Sequence, residues 1–281
     1  MKIKRILPRF FLYLILLVIA FFAVFPVIYI LASSFKTNKE ILVGGTSVFP
    51  KVWQWKNYEE AWYLANFGQL TANSIFYAAV IVVGCIFTSI TAGYVFARGK
   101  TSIGRFMYAM VLGSLFVSIG TLSLYPQLQL AKTFGLNRTL WGPILIHVFG
   151  MNATQVFIAT GYIRQLSREM DEAAQIDGCS FFGIFMRIIF PLCQPLIATN
   201  GLMAFRTAWS DYLLPYVFTI SDKTKWPLVV GVVSLKSSGD TASAWHLMLA
   251  GISISIIPML VVYLFLNRYF ISGLTEGAVK G

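Results

Sequence analysis

Charge is what this 281-residue chain has least of: Asp, Glu, Lys and Arg together make up 12%, against about 25% in soluble domains. Acidic residues are the scarcer sign, 11 against 22 Lys and Arg, and there are two histidines, His147 and His246. Cysteine is nearly missing too, with only Cys85, Cys179 and Cys193. Three is an odd number, and no two have the spacing of a metal or redox motif. They read as small apolar fillers. The shortage of charge excludes an ordinary water-soluble globule, and the apolar content excludes a disordered chain. Hydrophobic residues reach 57%, with 24 Phe, 13 Tyr and 7 Trp, and mean hydropathy is +0.73. That composition predicts an all-α polytopic membrane protein.

A net charge of +11 would suggest nucleic acid in a soluble protein. Here the basic residues sit mostly at the edges of apolar stretches, where they set membrane orientation, so no nucleic-acid partner is expected. A spanning helix needs about 20 mostly apolar residues. Six stretches qualify: 10–35, 70–97, 106–131, 139–163, 188–221 and 242–267. Only the fifth carries charge, at Arg206 and Asp211. In the fourth, Trp141 and Tyr162 lie 21 residues apart, roughly 32 Å on a helix, which is one hydrocarbon thickness. The first stretch has a basic start, Lys2 to Arg9, but 26 uncharged residues follow. A signal core has about 7–15, so this one reads as a retained anchor.

Six spans place both termini on one side. With cytoplasmic termini, the inner segments hold 12 Lys and Arg in 59 residues and the outer ones 9 in 73. The bias has the sign of the positive-inside rule. The first outer loop carries Trp53, Trp55, Tyr58, Trp62 and Tyr63, rings that favour the membrane–water boundary and suggest a short helix lying along it. Gly84, Thr88 and Ala92 recur every four residues, a small-residue face for close helix packing. Pro258, inside the sixth stretch, should kink it.

The inner segment 164–190 is too long for a passive helix connection, which usually takes two to eight residues. Ser167 is a plausible N-cap. Glu169, Asp171 and Glu172 suit the positive end of a helix dipole, Gly178 can end the helix in a left-handed conformation, and Ser180 can cap a second one. The first helix is then about ten residues, between Ser167 and Gly178. Met170, Ala173, Ala174 and Asp177 fall on one shallow face, suited to a cleft on a soluble partner.

These residues resemble a known family. Glu172-Ala173-Ala174, Gly178 and Ile188-Ile189-Phe190-Pro191 are similar to the EAA loop of binding-protein-dependent ABC importer permeases, EAA-x3-G-x9-I-x-L-P. Phe190 departs from the usual Leu. Trp209-Ser210-Asp211-Tyr212 through Pro215 resembles the W-N-E/D-F-x-x-P segment of the carbohydrate branch, the maltose-permease type, with Ser210 in place of Asn. The ending Arg268-Tyr269-Phe270 to Gly281 resembles that branch's terminus. The resemblance covers nearly the whole chain. It implies a single transmembrane permease domain, 1–281, with six spans and a cytoplasmic coupling helix between the fourth and fifth.

The resemblance implies that Met170, Glu172, Ala173, Ala174, Asp177 and Gly178 dock on a cytoplasmic ATPase subunit. It also implies that Gly273, Glu276, Gly277 and Lys280, in the tail 268–281, reach toward the ATPase pair. The implied partners are a second permease subunit (usually as a heterodimer), two cytoplasmic ATPase subunits and an extracytoplasmic solute-binding protein, with lipid around the spans. The implied location is the inner, cytoplasmic membrane of a prokaryote. The implied mechanism is alternating access, a non-catalytic role with ATP and Mg on the partner ATPases and no cofactor on this chain. Gly99-Lys100-Thr101 imitates the end of a phosphate-binding loop, but position 94 is Tyr where that motif needs Gly.

For a substrate path, Asn152, Gln155 and Asn200 offer hydrogen bonds inside spans four and five, and Trp209 and Tyr212 offer aromatic faces. Plain interhelical hydrogen bonding is the competing reading for the amides. Asp211 is either a carboxylate on the path or a residue at the outer boundary, if the helix stops near Trp209. Neither histidine has a metal-ligand partner at helical spacing. An ATPase-independent secondary transporter or channel would explain the spans but would leave the segment 167–178 without a role.

Overall fold

The computed structural model describes residues 3–44, 47–117, 119–150, 152–238 and 243–278, excepting the side chains of 3–10, 238 and 266–278. Among the described residues there is no β-strand. The chain gathers into two compact units, one from residues 1–68 and 231–257, the other from 69–230 and 258–281.

The first unit contains helix α1 (Ile3–Ser33), α2 (Asn38–Val43) and α3 (Lys56–Leu64). The charge-free stretch makes α1, and none of its most apolar window is buried within the chain, as expected of a face given to lipid or a neighbouring subunit. Asn57, buried on α3, donates to the carbonyls of Ser34 (2.7 Å) and Lys36 (2.9 Å). This satisfies backbone acceptors just past the end of α1. The Lys36 Nζ, also buried, donates to the Ser47 carbonyl at 2.6 Å. Phe35 sits among Trp53, Trp55 and Tyr58, with ring centroids 4.7–5.0 Å apart. The expected surface helix is thus two short helices stapled by an aromatic knot.

The second unit is built on α4 (Phe67–Arg98), which is unbroken. It continues through α5 (Ser102–Gly113), α6 (Leu124–Thr133), α7 (Trp141–Phe149), α8 (Ala153–Gln165), α9 (Glu169–Ile176), α10 (Phe181–Leu192), α11 (Gln194–Trp209), α12 (Leu213–Thr219) and the start of α13 (Leu228–Ser234). Helix α14 (Trp245–Ala278) ends the described chain. A Cβ on Gly84 would lie 2.4 Å from Val148, and one on Gly93 would lie 2.6 Å from the Ala159 Cβ. Glycine there lets α4 approach α7 and α8 closely.

Among the described residues three helices, α1, α4 and α14, are long and apolar enough to cross a membrane, or up to five if the bent pairs α7–α8 and α10–α11 each count as one. The third expected stretch, 106–131, is not one helix. The chain leaves α5 at Gly113, and Gly120 takes φ +58°. Gly113, Ser114 and Gly120 interrupt the helix where hydropathy alone sees a continuous run. The fourth stretch is divided between Gly150, which ends α7, and Asn152, which caps α8.

The fifth begins later than 188. Residues 181–192 form α10, with a π-helical turn over Phe185–Ile189, and the chain then bends by 79° into α11. Pro195, in the first turn of α11, has no N–H to continue the α10 ladder. Helix α14 runs on through Pro258 to Ala278, so the backbone of residues 268–278 is helical.

Candidate functional site

The segment between α8 and α10 folds as a short helix packed along one side on its neighbours. Helix α9 has eight residues, fewer than the ten expected. Arg168, in helical backbone, stands at the N-cap position without a side-chain cap bond, and Ser167, the expected cap, lies one residue earlier and accepts from the Glu169 N–H at 3.2 Å. Glu169, Asp171 and Glu172 occupy the first turn, where the dipole favours carboxylates. Gly178 has φ +81°, the left-handed conformation that glycine adopts without a Cβ penalty. Ser180 then caps α10 through the Gly183 N–H at 3.1 Å.

The face that α9 offers differs from the expected one. Met170 is half-buried, and Ala174 is buried against Ile90, Tyr94, Ala159, Ile163, Ile184 and Phe185. Ala173 and Asp177 are exposed. The outward stripe is Glu169, Glu172, Ala173 and Ile176, spaced three and four apart, and Ile176 is 87% exposed. Grouping by small side chains put Ala174 outside, whereas the neighbouring helices use its smallness to seat α9. Among the tail residues, Gly273, Glu276 and Gly277 lie on the α14 backbone with side chains outside the described set, and Lys280 lies outside the described residues.

Asp171 turns inward. Its Oδ2 lies 2.9 Å from Arg98 Nε, an ion pair of two buried side chains whose contacting atoms are not aligned as a hydrogen bond. Tyr94 donates to its other oxygen at 3.4 Å. In the sequence Arg98 reads only as one of the basic residues at the edges of apolar stretches, and Asp171 as a dipole partner. Separated by 73 positions, they carry no local signal of each other.

Of the proposed path residues, the structure brings Asn152 and Gln155 to a cavity of about 190 Å³, with His147 and Thr207 as further polar lining and Ile81 and Ala204 among the apolar walls. Asn152 accepts from the Gln155 N–H at 3.3 Å as the α8 cap. Gln155 Nε2 donates to the Asn200 carbonyl at 3.0 Å, and Asn200 Nδ2 donates to Ser89 Oγ at 3.0 Å. Asn200 is fully buried and serves as an interhelical bond rather than a cavity wall. Trp209 is buried and stacks on Phe205, and Tyr212 stacks on Tyr216.

Helix α11 ends at Trp209, leaving Asp211 in the turn before α12. It does not meet Arg206, which is exposed. Its Oδ2 accepts from Tyr77 at 2.7 Å and faces His147 Nε2 at 2.9 Å. This contact fixes the His147 ring at the cavity wall. His147 thus joins the candidate site through a partner 64 positions away, which no helical spacing reveals.

No protein-family model matches the chain. Among curated relatives, the arabinooligosaccharides transport system permease protein AraQ of Halalkalibacterium halodurans is 32% identical over 94% of this chain and 93% of its own length. The melibiose/raffinose/stachyose import permease protein MelC of Bacillus subtilis is 30% identical over 83% and 84%. A chain in the crystal structure of a bacterial ABC transporter involved in the import of the acidic polysaccharide alginate shares the fold. Its TM-score is 0.79 at 23% identity, covering 96% of this chain and 98% of that one. Similarity of this extent to AraQ and MelC, in a helical chain with several apolar spans, places the protein in the cell membrane and makes it a member of the ABC transporter permease family.

Proposed function

We propose that the chain is the transmembrane permease subunit of an ATP-driven carbohydrate importer. It works with a second permease subunit, two cytoplasmic ATPase subunits that bind ATP and Mg, and an extracytoplasmic solute-binding protein. Both termini are cytoplasmic, and the chain itself catalyses no reaction. The observation that carries this reading is α9: a short helix, ended by Gly178 at φ +81°, that turns Glu172, Ala173 and Ile176 outward while Asp171 and Ala174 bind it to the chain's own helices. Such a helix is built to be gripped from one side and to move its anchorage from the other. Closure of the ATPase pair around ATP would displace α9 and switch access to the path.

The substrate path runs by the cavity of Asn152, Gln155 and Thr207. Its volume lies below the roughly 300–1,000 Å³ of pockets for drug-sized ligands, room for one sugar ring at a time. Gln155 Oε1 has no partner among the described residues and is an acceptor for a sugar hydroxyl. The family resemblance also supports tail contacts from Gly273, Glu276, Gly277 and Lys280 to the ATPases.

Gly178→Val forces a β-branched residue into left-handed backbone, and Glu172→Lys reverses a charge on the outward stripe. Both variants are expected in the membrane in normal amount, with the ATPase subunits lost on co-purification and uptake lost with them. Normal co-purification and normal uptake in both would overturn the docking role.

A further inference from the structure

Asp171 does more than seat α9. Arg98, at the last turn of α4, pairs with its carboxylate at 2.9 Å. The same guanidinium donates to the carbonyls of Leu166 (2.9 Å) and Ser167 (3.4 Å). One side chain therefore fastens α4 to α9 and to the elbow where α8 leads into it. One turn earlier on α4, Tyr94 donates to Asp171 and stacks on Phe181 and Phe185 of α10, with ring centroids 4.6 and 5.2 Å away.

Toward its other end, α4 carries Tyr77, which holds Asp211 and through it His147. Tyr77 and Tyr94 are 17 residues apart, about 26 Å along a helix. The described part of α4 between them has no proline and no break. The cavity has two polar walls with different mechanical standing. Asn152 and Gln155 belong to α8, which leads directly to α9. His147 belongs to α7, and α7 is separated from α8 by the break at Gly150–Asn152. Helix α4 bypasses that break: it reaches α7 through Tyr77–Asp211–His147 and through the close approach of Gly84 to Val148.

We propose that α4 is the strut by which α9 moves the His147 wall of the cavity, with the Arg98–Asp171 pair as its fastening at one end and the Tyr77–Asp211–His147 node at the other. Asp171, Arg98 and Tyr77 are positioning residues for transport, touching neither the ATPase nor the solute. The proposal rests on the reading that the ATPase grips α9.

The test uses the full transporter in liposomes, with spin labels on exposed positions of the two walls, Phe149→Cys on α7 and Phe157→Cys on α8, in a chain freed of its own cysteines. The distance between them is read before and after trapping with ATP and vanadate, so no solute need be known. In the parent chain, trapping shifts this distance. Asp171→Asn is expected to abolish the shift while the ATPase subunits still co-purify, and Arg98→Asp combined with Asp171→Arg to restore part of it. Tyr77→Phe keeps the ring, loses the hydroxyl, and is expected to abolish the shift with α9 untouched, which carries the test should Asp171→Asn fail to reach the membrane. A parent-sized shift in Asp171→Asn or in Tyr77→Phe overturns the strut and leaves α8 as the route. Loss of the ATPase from Asp171→Asn also overturns it, placing Asp171 in docking instead. Failure of the docking reading itself has a separate signature, normal ATPase capture by the Glu172 and Gly178 variants.

Discussion

Two amides make the contrast between a polar residue that serves solute and one that serves packing. Gln155 and Asn200 were equal candidates as letters in apolar stretches. Both are buried, and each has its amide N–H bonded and its side-chain oxygen without a partner among the described residues, but of the two Gln155 lines the cavity and Asn200 does not. Asn200→Leu removes the Asn200 Nδ2 bonds to Ser89 Oγ and the Gln155 backbone carbonyl and leaves both without that donor, a cost of about 1–3 kcal/mol. A lowered thermal unfolding midpoint of the purified transporter is the expected result, and an unchanged midpoint would return Asn200 to the solute path. Asp211 shows the same limit of local reading. Its position just past the end of α11 was foreseeable, because charge and helix end coincide there. Its partners were not, since Tyr77 and His147 are 134 and 64 positions away.

Helix pairs are decided by which glycines face a neighbour. Gly84 was legible from its four-residue repeat with Thr88 and Ala92, and it packs on Val148. Gly93 falls outside that repeat yet makes the closest approach to α8, where an added Cβ would also lie 3.0 Å from the Thr160 backbone nitrogen. Backbone cannot yield as a side chain tip can. Gly93→Val is therefore expected to destabilise by about 1–3 kcal/mol through overpacking. Gly161→Ala, on α8 with nothing within 4 Å of the added carbon, should be neutral or gain up to about 1 kcal/mol in helix propensity. Protease resistance of the two variants in membranes measures the difference, and equal resistance would mean that α4 and α8 are not in contact at Gly93. The breaks at 113–123 and 150–152 belong to this scale too. A hydropathy window averages over glycine and serine, while a hydrogen-bond ladder cannot.

For the whole molecule, the decisive question is on which side of the membrane α9 lies. The proposed cytoplasmic side follows the inward bias of Lys and Arg, and the exposed Ile176 offers a place to ask. Ile176→Cys, in a chain freed of its own cysteines, should react with a membrane-impermeant maleimide in inside-out vesicles only, and more slowly when the ATPase subunits are bound. Labelling in right-side-out cells would reverse the orientation and remove the coupling role. The apolar surface of α1, unburied within the chain, has its counterpart at this scale as well: it is a face left for lipid or for the second permease.

Composition, charge placement and the spacing of Glu172, Ala173, Ala174 and Gly178 determined the class, the number of apolar stretches and the helical segment that sets the family, because each depends on residues near one another in the chain. The tertiary structure decided which side of α9 is offered and which is anchored, and that Asp171 and Asp211 are fastened to α4 toward its two ends. Those outcomes depend on pairs brought together from 64 to 134 positions apart. An ion pair or a hydrogen bond between such residues leaves no periodicity to read. It exists only once the helices between them have packed.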